Sequence, residues 1–369
     1  MEGREGWLLE GVIVDSRGAE PGYLRLDPAG RIVERGATGT QGPLGSGERR
    51  VRGIILPRAV NGHTHLADGL WTREPPRQSV QELVSPPNGL KHLLLARSSR
   101  RKKVGGMRRA LWEMARSGVG AVLDFREEGV EGVRMLREAA QGLPLQVVAL
   151  GRPGQLPPVT EELGPLLDLG DGLGLSAVAD LGLSTARELA EACHRRGRRL
   201  AVHVSESERE ELEPVLALAP DLLVHLSRTT EEDQQRIAQA KLTVAGCPRS
   251  NALFRRAPPL ASWERLGVPF LLGTDNRMLA STDLFSEMEF AYLSARSRGE
   301  ALSPKALVES VFVEGWRWLG RPQQAGLDPG SSGLVVLRRP LDDPYYQVCC
   351  RGHEGKLFVP PVPAEPSGT

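Results

Sequence analysis

Cysteines, lysines and aromatic residues are scarce in this 369-residue chain, and long apolar runs are missing altogether. Of four cysteines, Cys349 and Cys350 are adjacent while Cys193 and Cys247 stand far apart. That spacing suggests neither a disulfide framework nor a CxxC metal site. No stretch approaches the ~18–20 apolar residues that span a bilayer. The opening MEGREGWLLEG lacks the apolar core of a signal peptide, so a cytoplasmic protein with no membrane partner is expected. An excess of one charge is also lacking: 47 basic against 46 acidic side chains leave a net +1. Nothing there attracts nucleic acid at long range. Six lysines against 41 arginines read as genomic composition. The remaining balance, 40% hydrophobic and 25% charged, is that of an ordinary globular protein, with length for a large barrel.

What the chain does have is rhythm. Residues 1–52 hold short alternating pieces, GVIVDS and GYLRLDPAGRIVERG, which predict hairpins with PAGR as a turn. GLVVLRRP (333–340) and YYQVCC (345–350) read as strands of the same kind. Between them, eight Val/Leu/Ile-rich runs alternate with amphipathic segments: 53–60, 120–125, 145–150, 172–178, 199–204, 222–226, 242–246 and 268–275. Continuous apolar strands followed by helices imply a parallel sheet covered on both faces. Eight such repeats predict an α/β fold, a (β/α)8 TIM-type barrel, beside a small β-sandwich built from both termini. The expected boundaries are 1–52 and 326–358 for the sandwich, 53–325 for the barrel and 359–369 for a tail. The segment 66–104 is long for a connection and reads as a lid or a helical insertion. The basic run RSSRRKK (97–103) reads as a solvated helix face.

Histidines fall where a barrel keeps its chemistry. His63 and His65 lie just past the first run, and an i, i+2 pair on a strand aims two imidazoles at one point. His203 and His225 close the fifth and sixth runs, and Asp275 closes the eighth. Catalytic groups of barrels sit at the C-terminal strand ends, and neutral imidazole with carboxylate suits a transition metal. His92, His194 and His353 fit no such constellation.

VNGHTHL (60–66), HVSE (203–206), VHLS (224–227), CPRSN (247–251), GTDN (273–276) and GLDPGSSGLVVL (326–337) together resemble the amidohydrolase superfamily, in its cytosine deaminase and chlorohydrolase-like metal-dependent branch. The resemblance implies a distorted barrel beside a small β-sandwich. It also implies His63, His65, His203 and Asp275 as ligands of one divalent metal, zinc first, with iron or manganese as alternatives. His225 would polarise water, and Glu206 would shuttle protons. Two-metal relatives carry a bridging Lys at the end of strand four, where this chain has Asp180. Relatives often carry Gly where Arg58 stands, a departure that bears on strand packing. Homo-oligomers are common among them.

The expected chemistry is metal-dependent hydrolysis: a metal-activated water attacks a heterocyclic base, a deaminase reaction on a small-molecule substrate. Alternatives are an amide, imide or chloro-heterocycle hydrolase on the same scaffold, and a non-catalytic homologue. Taken alone, Glu206 reads as a helix-start carboxylate; its three-residue distance from His203 turns the reading to catalysis. Trp71 either stacks on a flat substrate or packs under the insertion. Arg249 and Asn251 either meet the substrate or, for Asn251, cap a helix. Asp68 and Asp124 either hold ligand histidines or play capping roles.

Overall fold

The computed structural model describes residues 6–71, 79–85, 88–155, 160–338, 342–354 and 356–359. The chain divides into two compact units. One holds the chain up to Val60, Met114–Ala121 and the described residues from Asp283 onward; the other holds Asn61–Glu113 and Val122–Thr282.

The first unit contains a six-stranded sheet. Strands β1 (Trp7–Asp15), β2 (Gly18–Leu26) and β3 (Ile32–Ala37) form the expected antiparallel hairpins. The Asp27 carboxylate accepts from the Ala29 and Arg31 amides at 2.9 Å, closing the PAGR turn. Strand β4 (Arg49–Pro57) runs parallel to β1. Near the far end of the chain, Leu334–Leu337 pairs antiparallel with β4, and Lys356–Val359 pairs with it in turn. Both ends of the chain thus share one sheet, around a core that includes Leu9, Ile13, Leu24, Ile55 and Val336. YYQVCC is a correction: it lies in the helix Pro344–Arg351. Asp343 caps that helix by accepting from the Tyr346 amide at 3.0 Å, and Pro344 occupies its first turn. An Asp-Pro start overrides the strand propensity that follows it. Of the expected tail, 360–369 lie outside the described residues; Val359 ends the last strand. Arg58 packs with its guanidinium donating to the Ala115 carbonyl at 3.1 Å, and burial lowers its pKa to about 10.

The parallel sheet falls largely in the second unit. Its strands are β5 (Ala59–His65), β6 (Val119–Arg126), β7 (Gln146–Gly151), β8 (Gly172–Leu175), β9 (Arg199–Val204), β10 (Leu222–His225), β11 (Thr243–Gly246), β12 (Phe270–Leu272) and β13 (Asp275–Asn276). They lie in the order β12-β11-β10-β9-β8-β7-β6-β5-β13. Only Gly273 and Thr274 separate β12 at one edge from β13 at the other, so one strand joins both edges and the ring closes with eight strands. The seam is tight. A Cβ on Gly62 would sit 2.5 Å from the Leu271 Cβ, and one on Gly273 would sit 2.6 Å from the His63 Cβ. Glycine is required where two backbones approach this closely.

In its described parts the 66–104 segment is helical: a 3-10 turn Leu66–Leu70, then Val80–Leu83, Leu90–Arg97 and the start of Arg100–Arg116. The basic run is only partly solvated. Lys103 is buried with Met107 and Ala110 on one helical stripe, and it pairs with Glu128. Among the described residues no helix is long and apolar enough to cross a membrane.

Candidate metal centre

Each donor predicted from the sequence sits at the C-terminal end of a barrel strand, and the barrel brings them to one point. Ligand atoms of His63, His65 and Asp275 lie within 4.8 Å of one another. So do those of His63, His203 and His225, and those of Glu206, His225 and Asp275. His63 Nε2 is 3.3 Å and His65 Nε2 3.7 Å from Asp275 Oδ1. The His203 ring centroid lies 4.9 Å from that of His63 and 5.3 Å from that of His225. His225 Nε2 stands 3.7 Å from Glu206 Oε2.

The backbone is bent to achieve this. Ser205, His225 and Asp275 adopt positive φ values of 49°, 75° and 56°. Such left-handed conformations cost energy for residues with a Cβ and gather at functional sites. Ser205 and His225 turn the chain where their strand ladders end, and Asp275 turns it where the short ladder to β5 begins.

Neighbours set the ring tautomers. The Leu175 carbonyl accepts from His203 Nδ1 at 2.6 Å, and the Phe125 carbonyl from His65 Nδ1 at 3.0 Å. A carbonyl only accepts, so Nδ1 carries the proton and each Nε2 keeps its lone pair for a metal. Burial lowers the His63 pKa to about 4 and holds His65 and His203 well below the usual imidazole range. These rings are therefore neutral at pH 7, the ligating form. Burial opposes the charge on Asp275, but the close approach of the His63 ring and the His225 field outweigh it and hold this carboxylate ionised. Neither ring nitrogen of fully buried His63 has a hydrogen-bond partner. Buried polar atoms left bare are costly, and a cation beside His63 removes that cost. The donor set fits one divalent metal.

Other expected residues go elsewhere. Asn251 donates to His225 Nδ1 at 3.2 Å, so it orients that ring. Ser250, also of CPRSN, donates to Asp275 Oδ2 at 2.5 Å. Arg249 instead holds Ser281 through its hydroxyl and carbonyl, at 2.9 and 2.6 Å. Trp71 packs against Val80, Leu83, Val84 and Met278 and lines a separate cavity with Arg109, Glu113 and Arg277. The Leu66–Leu70 turn carries it past the rim. Asp124 accepts from Thr64 and the Leu66 amide, and Asp68 from the Met278 amide; both brace backbone. The carboxylate on the Nδ1 side of a donor ring is Glu127, 2.8 Å from His65 Nδ1. Sequence reasoning missed it, along with Arg152, whose guanidinium lies 3.2 Å from His203 Nδ1. Their one signal is position, immediately past strands β6 and β7.

The donors open into a cavity of about 200 Å3 whose lining includes His65, Lys91, His203, Glu206, His225 and Asp275. A second cavity of about 450 Å3 shares Arg152, Ser176 and Asp180 with it.

A closed eight-stranded barrel with buried imidazoles and a carboxylate at its C-terminal rim defines the class: metal-dependent hydrolases of the TIM-barrel type. The amidohydrolase family model matches residues 54–337, and the chain belongs to that family. It is a hydrolase of carbon–nitrogen bonds other than peptide bonds. A Methanothermobacter thermautotrophicus protein provisionally named an aminohydrolase is 33% identical over 318 residues, covering 81% of this chain and 82% of that protein. A 5-methylthioadenosine/S-adenosylhomocysteine deaminase of Halobacterium salinarum is 26% identical over 331 residues, covering 79% and 74%. Among solved structures, the zinc complex of atrazine chlorohydrolase from Arthrobacter aurescens superposes with a TM-score of 0.75 at 18% identity, covering 93% of this chain and 91% of that one.

Proposed function

We infer that the protein is an aminohydrolase that removes the exocyclic amine of a heterocyclic amidine, a purine-, pyrimidine-, pterin- or triazine-like base, and releases ammonia. One zinc ion is the favoured metal, held by His63, His65, His203 and Asp275. When bound, a divalent cation supplies Lewis acidity that lowers the pKa of water to about 7.

The observation that carries the reading is Glu206. Its carboxyl lies in the donor cavity beside His225, and burial raises its pKa above the ordinary carboxylate range. A carboxyl so placed can hold a proton and give it up, the requirement of a general acid–base. Glu206 protonates the ring nitrogen of the amidine, which makes the adjacent carbon electrophilic. Asp275, ionised and in reach, takes a proton from the attacking water. His225, oriented by Asn251, hydrogen-bonds the oxygen as it adds. Glu206 then helps move a proton to the departing nitrogen, so water and amidine become a ring carbonyl and ammonia. The smaller cavity suits a flat ring, and the second gives room for a substituent on it. The likeness to a chlorohydrolase supports a second activity of the same site, displacement of chloride from a chloro-heterocycle.

Screening heterocyclic amines for ammonia release, with chloride release followed in parallel on chloro-triazines, tests both. Glu206→Gln is expected to abolish turnover while the protein keeps its metal. Full activity in that variant overturns the role of Glu206, and chloride without ammonia overturns the deaminase reading.

A further inference from the structure

Lys91 lies on the helix Leu90–Arg97, in the insertion between the first two barrel strands, and is only 2% exposed. Its ammonium forms an ion pair with Glu127 Oε1 at 2.6 Å and donates to Asn276 Oδ1 at 3.1 Å. Each of these partners touches a different member of the donor set. Glu127 Oε1 lies 2.8 Å from His65 Nδ1, and Asn276 Nδ2 donates to Asp275 Oδ1 at 2.9 Å.

Resting on the metal reading above, we propose that Lys91 is a positioning residue for the metal centre: it sets the orientation of Asn276, and through Asn276 and Glu127 it fixes Asp275 and His65. The chemistry of the groups requires this. An ammonium only donates, so the Asn276 amide must turn its oxygen toward Lys91 and its nitrogen toward Asp275. A reversed amide would set oxygen against a carboxylate. On the other arm, buried Glu127 is paired with Lys91 at 2.6 Å and with Arg126. Arg126 also binds Asp124, at 2.9 Å. Two cations and two carboxylates therefore balance beneath the rim. A helix that merely covered the pocket would need no buried ammonium, whose desolvation is costly unless it is paired. The helix Leu90–Arg97 is on this account a fixed wall of the centre, pinned by Lys91, and its contacts decide how well a cation is held.

The test is zinc affinity, measured by chelator competition on the full chain, with circular dichroism and metal-free unfolding followed alongside. Lys91→Met is expected to weaken zinc binding about 10–100-fold, the usual cost of losing a group that orients a ligand. That variant leaves Glu127 unbalanced, so the charge-neutral Lys91→Met/Glu127→Gln variant is measured too. It keeps a partner for His65 but leaves Asn276 without its orienting donor, and binding is expected to stay at least about tenfold weaker. Lys103→Met, which breaks the Lys103–Glu128 pair of the adjoining helix without touching a donor, is expected to bind zinc as the parent does. A double variant within about threefold of the parent, or an equal loss in Lys103→Met, overturns the proposal. A parent protein that binds no zinc overturns the metal reading and this proposal with it.

Discussion

Gly273→Ala tests the barrel seam and the metal centre with one methyl group. The new Cβ would lie 2.6 Å from the His63 Cβ, 2.7 Å from its nitrogen and 2.9 Å from its oxygen. Two of these three atoms are backbone of β5, so no rotamer change relieves the clash. Ordinary contact begins at 3.4 Å, so the seam must open by about 0.8 Å, whereas sites of this kind hold their groups to within ~0.5 Å. Overpacking of this sort costs about 1–3 kcal/mol, and here the displaced strand carries His63 and His65. Zinc affinity is therefore expected to fall at least about tenfold, with the far-ultraviolet dichroism of the barrel retained. Gly105→Ala is the matched control. It lies within the helix Arg100–Arg116 with no atom within 4 Å of its new Cβ, and it should stabilise by roughly 0.5–1 kcal/mol. Gly273→Ala binding zinc as tightly as the parent, at unchanged stability, would refute the closure drawn from β12 and β13.

Other perturbations separate roles within the site. Asn251→Ala is expected to lower kcat about tenfold or more while metal content stays at one equivalent; an undiminished rate would show that His225 needs no such support. Leu181→Trp, which crowds the larger cavity, should reduce kcat/KM on ring-substituted bases well beyond its effect on the free base, and equal effects would assign that cavity no part in substrate binding. Asp68 gives a pH signature, because burial raises its pKa to about 8. Its folded-state pKa exceeds the unfolded value, so the folded protein keeps a proton that the unfolded chain releases, and stability falls as pH rises from about 4 to 8. Asp68→Asn keeps an oxygen for the Met278 amide and removes this dependence. Its stability gain should therefore grow across that range and exceed about 1.4 kcal/mol, one unit's worth, at pH 8. A gain independent of pH in chemical-denaturation curves would refute the assignment.

The eight barrel strands were legible because parallel strands buried on both faces must be written as unbroken Val/Leu/Ile runs. A donor at the end of such a run has its height on the barrel encoded by its place in the chain. That is why the sequence alone gathers His63, His65, His203, His225 and Asp275. Residues whose position depends on how one connection lies over another carry no such mark. Trp71, two turns past His65, looked like a rim residue but leaves with the Leu66–Leu70 turn. YYQVCC has strand composition, yet its fate is decided upstream by Asp343 and Pro344. Lys91 is one of only six lysines and sits where local pattern predicts nothing more than an insertion. Its meaning comes from Glu127 and Asn276, which meet it only after β5, β6 and the last strand have closed the ring. The same closure explains why strain collects here. One ladder ends at His225 and another begins at Asp275, and the left-handed φ values there are tolerable only if surrounding contacts over-determine the backbone. Ser250 and Asn276 on Asp275, and Asn251 on His225, supply those contacts. The groups that orient the donors are thus also the groups that hold the strained turns, so removing one is expected to disturb metal binding before it unfolds the barrel.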